Sequence, residues 1–155
     1  MKSLRIALSI ILIAIIVCGC TNPNGPKMYT FGGTWETDGN SVTFLSVRIT
    51  DSYTAKDGTE YNPAEGKTFM LIECSASFAE GWYFSDDTYL NMTNGATEPR
   101  YKLFCDPIPA DGDCYVLLFS MFKDTFTGKP EDYRVELVIE QTETVRRTQA
   151  FLLMR

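Results

Sequence analysis

The chain has 155 residues, 45% of them hydrophobic, room for one domain of ordinary size and hardly two. Asp and Glu number 20 against 14 Lys and Arg, for a formal charge of −6, and no cluster of basic residues marks a nucleic-acid footprint, so nucleic acid is not an expected partner. Histidine is absent, which removes the commonest general base, the commonest zinc ligand and every Ser-His or Cys-His nucleophile pair.

Lys2 and Arg5 precede an apolar run from Ile6 to Val17, broken only by Ser9. This is the form of a secretory signal, a charged n-region and then an h-region. At about a dozen residues the run is short of the ~20 that span a bilayer as a permanent helix. Val17-Cys18-Gly19-Cys20 then resembles the lipobox of prokaryotic lipoproteins: an aliphatic residue, two small residues, and the cysteine whose thiol accepts the lipid. Cys18 at the middle small position is a slight departure. The resemblance implies a signal peptide over residues 1–19 and lipidation at Cys20; the other reading of the same residues is an ordinary cleaved signal. Acyl chains at ~0.8 kcal/mol per buried CH₂ would hold the mature chain on the membrane essentially permanently. Removing residues 1–19 takes away Lys2 and Arg5 and no acid, so the charge goes from −6 to −8, and attachment is expected through lipid, not through anionic headgroups. The expected location is extracytoplasmic, on the cell membrane or envelope.

Residues 20–34 are rich in Asn, Pro and Gly with no apolar period and read as a tether, with the domain, residues 35–155, beginning near Trp35. From there the pattern is strand after strand between turn clusters, with no sustained helical period. Ser41 to Thr50 places Leu45, Val47 and Ile49 on one face and Ser46 and Arg48 on the other. The polar stretch Asp51 to Gly66 reads as a long loop or weak hairpin with turn signals at Asp57-Gly58 and Asn62-Pro63. Lys67 to Ala79 is the clearest strand, with Met70, Ile72, Cys74, Ala76 and Phe78 sharing a buried face. Trp82 to Asn91 and Arg100 to Cys105 are shorter and more polar, as edge strands are. Tyr115 to Phe122 is almost wholly apolar and is expected at a sheet centre. Tyr133 to Glu140 alternates with Tyr133, Val135, Leu137 and Ile139 inward, and Ala150 to Met154 closes the chain. About seven or eight short strands with turns every 8 to 12 residues predict an all-β fold, an immunoglobulin-like two-sheet antiparallel sandwich.

The alternating strand Val42 to Thr50, the long polar loop, Gly66-Lys67-Thr68-Phe69-Met70-Leu71-Ile72 leading into a long strand, and the pair Tyr115 to Phe122 and Tyr133 to Glu140 together resemble a known family. It is the telokin-like, immunoglobulin-fold domain of unknown function that follows the lipobox in many bacterial and archaeal lipoproteins. The resemblance spans about residues 35 to 155. It departs where such domains often carry an asparagine at the end of the long strand, here Phe78-Ala79-Glu80. It implies a fold and a location, and no catalytic residues.

Outside the cytoplasm Cys74, Cys105 and Cys114 can oxidise. A clip between Cys105 and Cys114 across the turn-rich segment 106–113 is the simplest disulfide, preferred for closeness in sequence and because Cys74 fits a buried face. The rival joins Cys74 to Cys114, as strands B and F of an immunoglobulin domain would, and leaves Cys105 free. Asp106, Asp111 and Asp113 offer oxygen ligands for calcium, although their spacing matches no EF-hand and Asp populates turns for its own backbone bonds. Trp82, Tyr83, Phe84 and Tyr89 gather around a glycine-containing turn, where Trp82 and Tyr83 form a candidate contact platform for a sugar or a partner, while alternation buries about half of any such set. Asn91-Met92-Thr93 is an N-glycosylation sequon, which would place Asn91 on an exposed turn.

No nucleophile motif, C-x-x-C pair or phosphate loop occurs, so the expectation is no enzyme and no cofactor. The chain reads as a lipid-anchored binding module for a protein or glycan of the cell envelope, working through end loops or an open sheet edge. The alternatives are a structural envelope component without a specific ligand, or a small enzyme of another type.

Overall fold

The computed structural model describes residues 28–93, 100–142 and 146–154. In chain order the strands are β1 (Met28–Tyr29), β2 (Thr34–Thr37), β3 (Asn40–Thr50), β4 (Tyr53–Thr54), β5 (Glu60–Tyr61), β6 (Lys67–Ser77), β7 (Trp82–Phe84), β8 (Tyr89–Met92), β9 (Tyr101–Lys102), β10 (Ile108–Pro109), β11 (Cys114–Phe122), β12 (Tyr133–Gln141) and β13 (Arg147–Leu153), with one 3₁₀ turn, Pro130–Asp132, before β12. They form two main sheets. One runs β10-β11-β6-β3-β2, antiparallel throughout; the other runs β1-β13-β12-β8-β9, with β7 also paired to β12 and only β1–β13 parallel. Strands β3, β6, β11 and β10 thus occupy the A, B, E and D positions of an immunoglobulin sandwich, and β8, β12 and β13 the C, F and G positions. The expected all-β, immunoglobulin-like sandwich is what the chain forms. Its strands outnumber the expected seven or eight because strand C is broken in two and the edges are built from pieces of two to four residues.

Alternation puts the core where period two requires. Met70, Ile72 and Cys74 from β6, Leu117, Phe119 and Met121 from β11, and Tyr133, Val135, Leu137 and Ile139 from β12 are all fully buried between the sheets. Tyr133 at the head of strand F also serves as a tyrosine corner: its hydroxyl oxygen accepts the Thr127 N–H at 3.4 Å, pinning the connection that enters the strand.

Three expectations need correcting. Strand β3 carries a bulge between Phe44 and Ser46, so two residues oppose one and the inward parity changes. Val42 and Phe44 point inward before it, Val47 and Ile49 pack on the core after it, and Leu45, expected inward, is 48% exposed. Strand β11 lies beside β6, which is the true centre of its sheet. Its unbroken apolar sequence arises because Val116 and Leu118 are buried on the outer face as well. There they join Phe69, Leu71, Ala55 and Ile108, with Tyr53, Tyr61, Cys105 and Ala110 packed around them, under the β4–β5 hairpin and the β10 segment. Finally, the folded domain begins before Trp35: β1 pairs with β13, Tyr29 and Phe31 pack on the core, and the Gly32 N–H donates to the Phe44 carbonyl at 2.7 Å.

Candidate functional site

The breaking of strand C creates the most distinctive surface. β7 and β8 both pair with β12, but their registers differ by two residues: Phe84 faces Ile139 whereas Tyr89 faces Glu136. The surplus is taken up by Ser85–Thr88, which swings out over β12. Buried Thr88 replaces the lost ladder contacts, its hydroxyl accepting the Val138 N–H at 3.1 Å and donating to the Val138 carbonyl at 3.3 Å. Beyond β8 the sheet is extended by β9 only as far as Lys102. The chain then crosses to the other sheet, where Leu103 bridges Phe119 and the Phe104 N–H bonds the Leu118 carbonyl at 2.8 Å. No strand among the described residues therefore covers the far side of β7.

Along this open side lies a cavity of about 630 Å³ lined by Phe78, Trp82, Tyr83, Phe84, Asp86, Asp106, Pro107 and Tyr115. Phe78, Phe84 and Tyr115 form its apolar wall. Phe84 meets Phe78 edge to face at 4.8 Å between ring centroids and Tyr115 at 5.3 Å, the geometry aromatic quadrupoles favour. Tyr83 is 43% exposed, yet it is fixed: its hydroxyl donates to Glu140 at 3.1 Å. Glu140 accepts Arg147 Nε at 2.6 Å, and the same guanidinium pairs with Asp87. Burial works against ionised Glu140, but bonds from Arg147, Ser85 and Tyr83 outweigh it and pull its carboxyl below the ordinary range. The bond from Arg147 does the same for Asp87, and the bond to Glu140 raises the Tyr83 hydroxyl. Asp86 and Asp106, both exposed, make no ion pair among the described residues. Buried Asn40 braces this end: its side-chain oxygen accepts the Ala79 N–H at 2.9 Å and its amide donates to the Thr37 carbonyl at 3.0 Å. Asp38 and Gly39, with φ of 48° and 78°, make the tight turn that delivers Asn40.

Of the residues singled out in the sequence, Trp82, Tyr83, Phe84 and Asp106 come together here; Trp82, expected as a contact platform, is instead buried with Phe84 in the core, because alternation turns both inward, and Tyr83 is the exposed one of the three. The three aspartates do not come together: Asp111 sits in the β10–β11 turn and pairs with Lys56, whose bond lowers its pKa, and Asp113 uses its carbonyl for the Ala76 N–H. Among the described residues no three His, Cys, Asp or Glu side chains are placed to hold a metal ion. The expected Cys105–Cys114 clip is not formed; Cys74, Cys105 and Cys114 are free thiols. The β10–β11 hairpin closes with the Ala110 N–H on the Cys114 carbonyl, so Ala110 is the cross-strand neighbour of Cys114, while Cys105 packs in the outer cluster. The rival pairing fails on geometry. Cys114 lies opposite Ser75, and Cys74 lies opposite Tyr115, so the two side chains leave opposite faces of the sheet. Asn91, expected on an exposed turn, is within β8. Its amide donates to Glu136 at 3.3 Å and its oxygen accepts Arg100 Nε at 3.2 Å. The lipobox, Val17 to Cys20, lies outside the described residues.

The sequence reading missed Phe78, Asp86, Pro107 and Tyr115 as partners of Trp82. Only the sheet switch at Leu103 brings residues 106–107 against β7, and no local pattern announces it.

No protein-family model matches the chain, and no curated protein matches it. Among solved structures, it is similar to an uncharacterized β-sandwich protein from Clostridium difficile 630 at 11% identity, with a TM-score of 0.52 over 84% of this chain and 95% of that one. It is also matched to a conserved hypothetical protein from Bacillus anthracis at 13% identity and a TM-score of 0.43, covering 78% and 94% of the two chains. At 11% identity the first likeness is one of fold alone, a β-sandwich. No helix among the described residues is long and apolar enough to cross a membrane.

Proposed function

We propose that this chain is an extracytoplasmic lipoprotein, held to the membrane through lipid on Cys20, whose telokin-like, immunoglobulin-like domain is a binding module of the cell envelope and not an enzyme. The observation that carries the reading is the groove beside β7: an aromatic wall, a tyrosine held in place by Glu140, and two carboxylates that make no ion pair among the described residues. Such a surface is concave, partly apolar and rigid, with a few polar groups converging on it. The chain has no histidine, and the thiol next to Asp106, that of Cys105, is raised by burial and by the Asp106 charge away from its reactive thiolate form, so the groups around the carboxylates suit recognition better than bond making.

The test uses the full chain in living cells, with a photo-cross-linking residue at Tyr83 and, separately, at Leu45, an exposed position on the other sheet. Products at position 83 and none at 45, together with detergent partition of wild type but not of Cys20→Ser, fit the proposal. Equal yields at both sites contradict a dedicated groove. A wild-type chain of unlipidated mass contradicts the anchor, and a turnover abolished by Asp106→Asn with folding intact contradicts the non-catalytic assignment.

A further inference from the structure

The groove has a second component besides its side chains, namely the backbone of β7. The Thr142 N–H bonds the Gly81 carbonyl and the Ser85 N–H bonds the Val138 carbonyl, both at 2.9 Å. In an antiparallel ladder hydrogen-bonded pairs alternate with non-bonded ones, so Tyr83 is the residue that exchanges bonds with Glu140. Trp82 and Phe84, opposite Gln141 and Ile139, aim their peptide groups the other way. The Trp82 N–H is taken internally by the Ala79 carbonyl at 3.1 Å. The Trp82 carbonyl and both peptide groups of Phe84 have no partner among the described residues and face the cavity side. Trp82 and Phe84 line the same cavity as Phe78, Tyr115, Asp86 and Asp106.

We propose, building on the binding-module reading, that this groove takes an extended peptide segment carrying lysine or arginine, added as a strand to the open edge of β7. One residue of the segment, running antiparallel to β7, exchanges both backbone bonds with Phe84, and the residue two further on donates to the Trp82 carbonyl, the arrangement of strand addition at a sheet edge. Alternate side chains then point inward at Phe78, Phe84 and Tyr115, or reach the rim at Asp86 and Asp106. The rim chooses the sign of charge. Two exposed carboxylates on a chain of net charge −6 repel an acidic segment and attract a basic one, and aromatic faces favour a cation nearby. The edge is short, three residues, so the backbone bonds set orientation and the side chains supply much of the selectivity.

The experiment uses the full chain in detergent micelles with four probes: an acetylated, amidated hexapeptide of alternating valine and lysine; the same peptide with glutamate for lysine; the lysine peptide with every amide N-methylated; and the neutral oligosaccharide cellotetraose. The expected result is binding of the lysine peptide at least tenfold tighter than either altered peptide, with slowed hydrogen exchange at the Phe84 amide, and at least tenfold weakening in the doubly substituted Asp86→Asn, Asp106→Asn chain. Both substituted side chains are exposed, so folding is expected to survive, and an unchanged far-ultraviolet spectrum checks that it does. Equal binding of the N-methylated peptide overturns strand addition. Equal binding of the glutamate peptide overturns the charge preference, and binding of the oligosaccharide alone overturns the peptide occupant. Cross-links at position 83 with no peptide binding leave the binding module standing and remove this occupant; the absence of both removes both.

Discussion

Strands β6 and β11 each build two apolar regions, and the two are not equal. Their inward residues join a core that spans both sheets and includes twenty-one buried residues, whereas their outward residues join a cluster of six under the β4–β5 hairpin and β10. The inner region is enclosed by the long strands of both sheets except along the open edge of β7. The outer one is roofed by two-residue strands and the loop after Leu103, the same chain that forms the far wall of the β7 groove. The inner core therefore sets the fold, and the outer cluster fixes where residues 105–110 lie and so the shape of the groove.

The largest difference between the regions is expected in thiol chemistry. Burial pushes the Cys74 thiol up to about 12, with nearby Cys114 adding to it. At pH 8 that leaves about one ten-thousandth of it as the reactive thiolate. Burial raises Cys105 as well, in the partly open outer cluster. Iodoacetamide at pH 8 should label Cys105 and Cys114 in the folded chain while Cys74 reacts only after unfolding, as peptide mass mapping would show. Early labelling of Cys74 would mean the inner core is looser than described.

Cavity formation sharpens the same contrast. Leu137 and Leu71 are both fully buried. Leu137→Ala should cost about 3–5 kcal/mol in denaturant unfolding, and Leu71→Ala about 2–3 kcal/mol, because a roof of short hairpin can settle into the space. Equal costs would make the outer cluster as rigid as the inner. Tyr133→Phe removes only the hydroxyl that receives the Thr127 N–H, and a loss of about 1 kcal/mol is expected.

Smallest is the effect of Arg147→Met, which breaks the pairs with Asp87 and Glu140 on an exposed face. Both carboxyl pKa values are lowered in the folded chain. Their stabilisation is thus present above the unfolded values near pH 4 and is lost as pH falls through the lower folded ones. Melting curves of wild type and variant should differ slightly at pH 7 and converge near pH 2. A difference that persists in acid would assign the effect to packing of the arginine stem.

Much of the inner core was legible because period two is a local property: Met70, Ile72 and Cys74, and the four inward residues of β12, are buried as their spacing predicts. The bulge at Leu45 was not, since an apolar residue there extends the false alternation of Leu45, Val47 and Ile49 and hides the true set beginning at Val42 and Phe44. The outer cluster could be sensed only as an excess of apolar residues in Tyr115 to Phe122, which burial on a single face does not account for. Trp82, Tyr83 and Asp106 were each visible as candidates, but their meeting depends on a strand that leaves its sheet at Lys102. Spacing likewise brought Cys105 and Cys114 together on paper, while the hairpin seats Ala110 in that place.

The claim on which the groove depends is that one edge of β7 is paired and the other open. Native-state hydrogen exchange of the unliganded chain tests this at two adjacent residues. The Ser85 amide, bonded to the Val138 carbonyl, should be protected to nearly the full stability of the domain. The Phe84 amide next to it should exchange orders of magnitude faster. Strong protection of both, or of Phe84 alone, would mean that the edge is already occupied and that the groove is not an open strand-binding site.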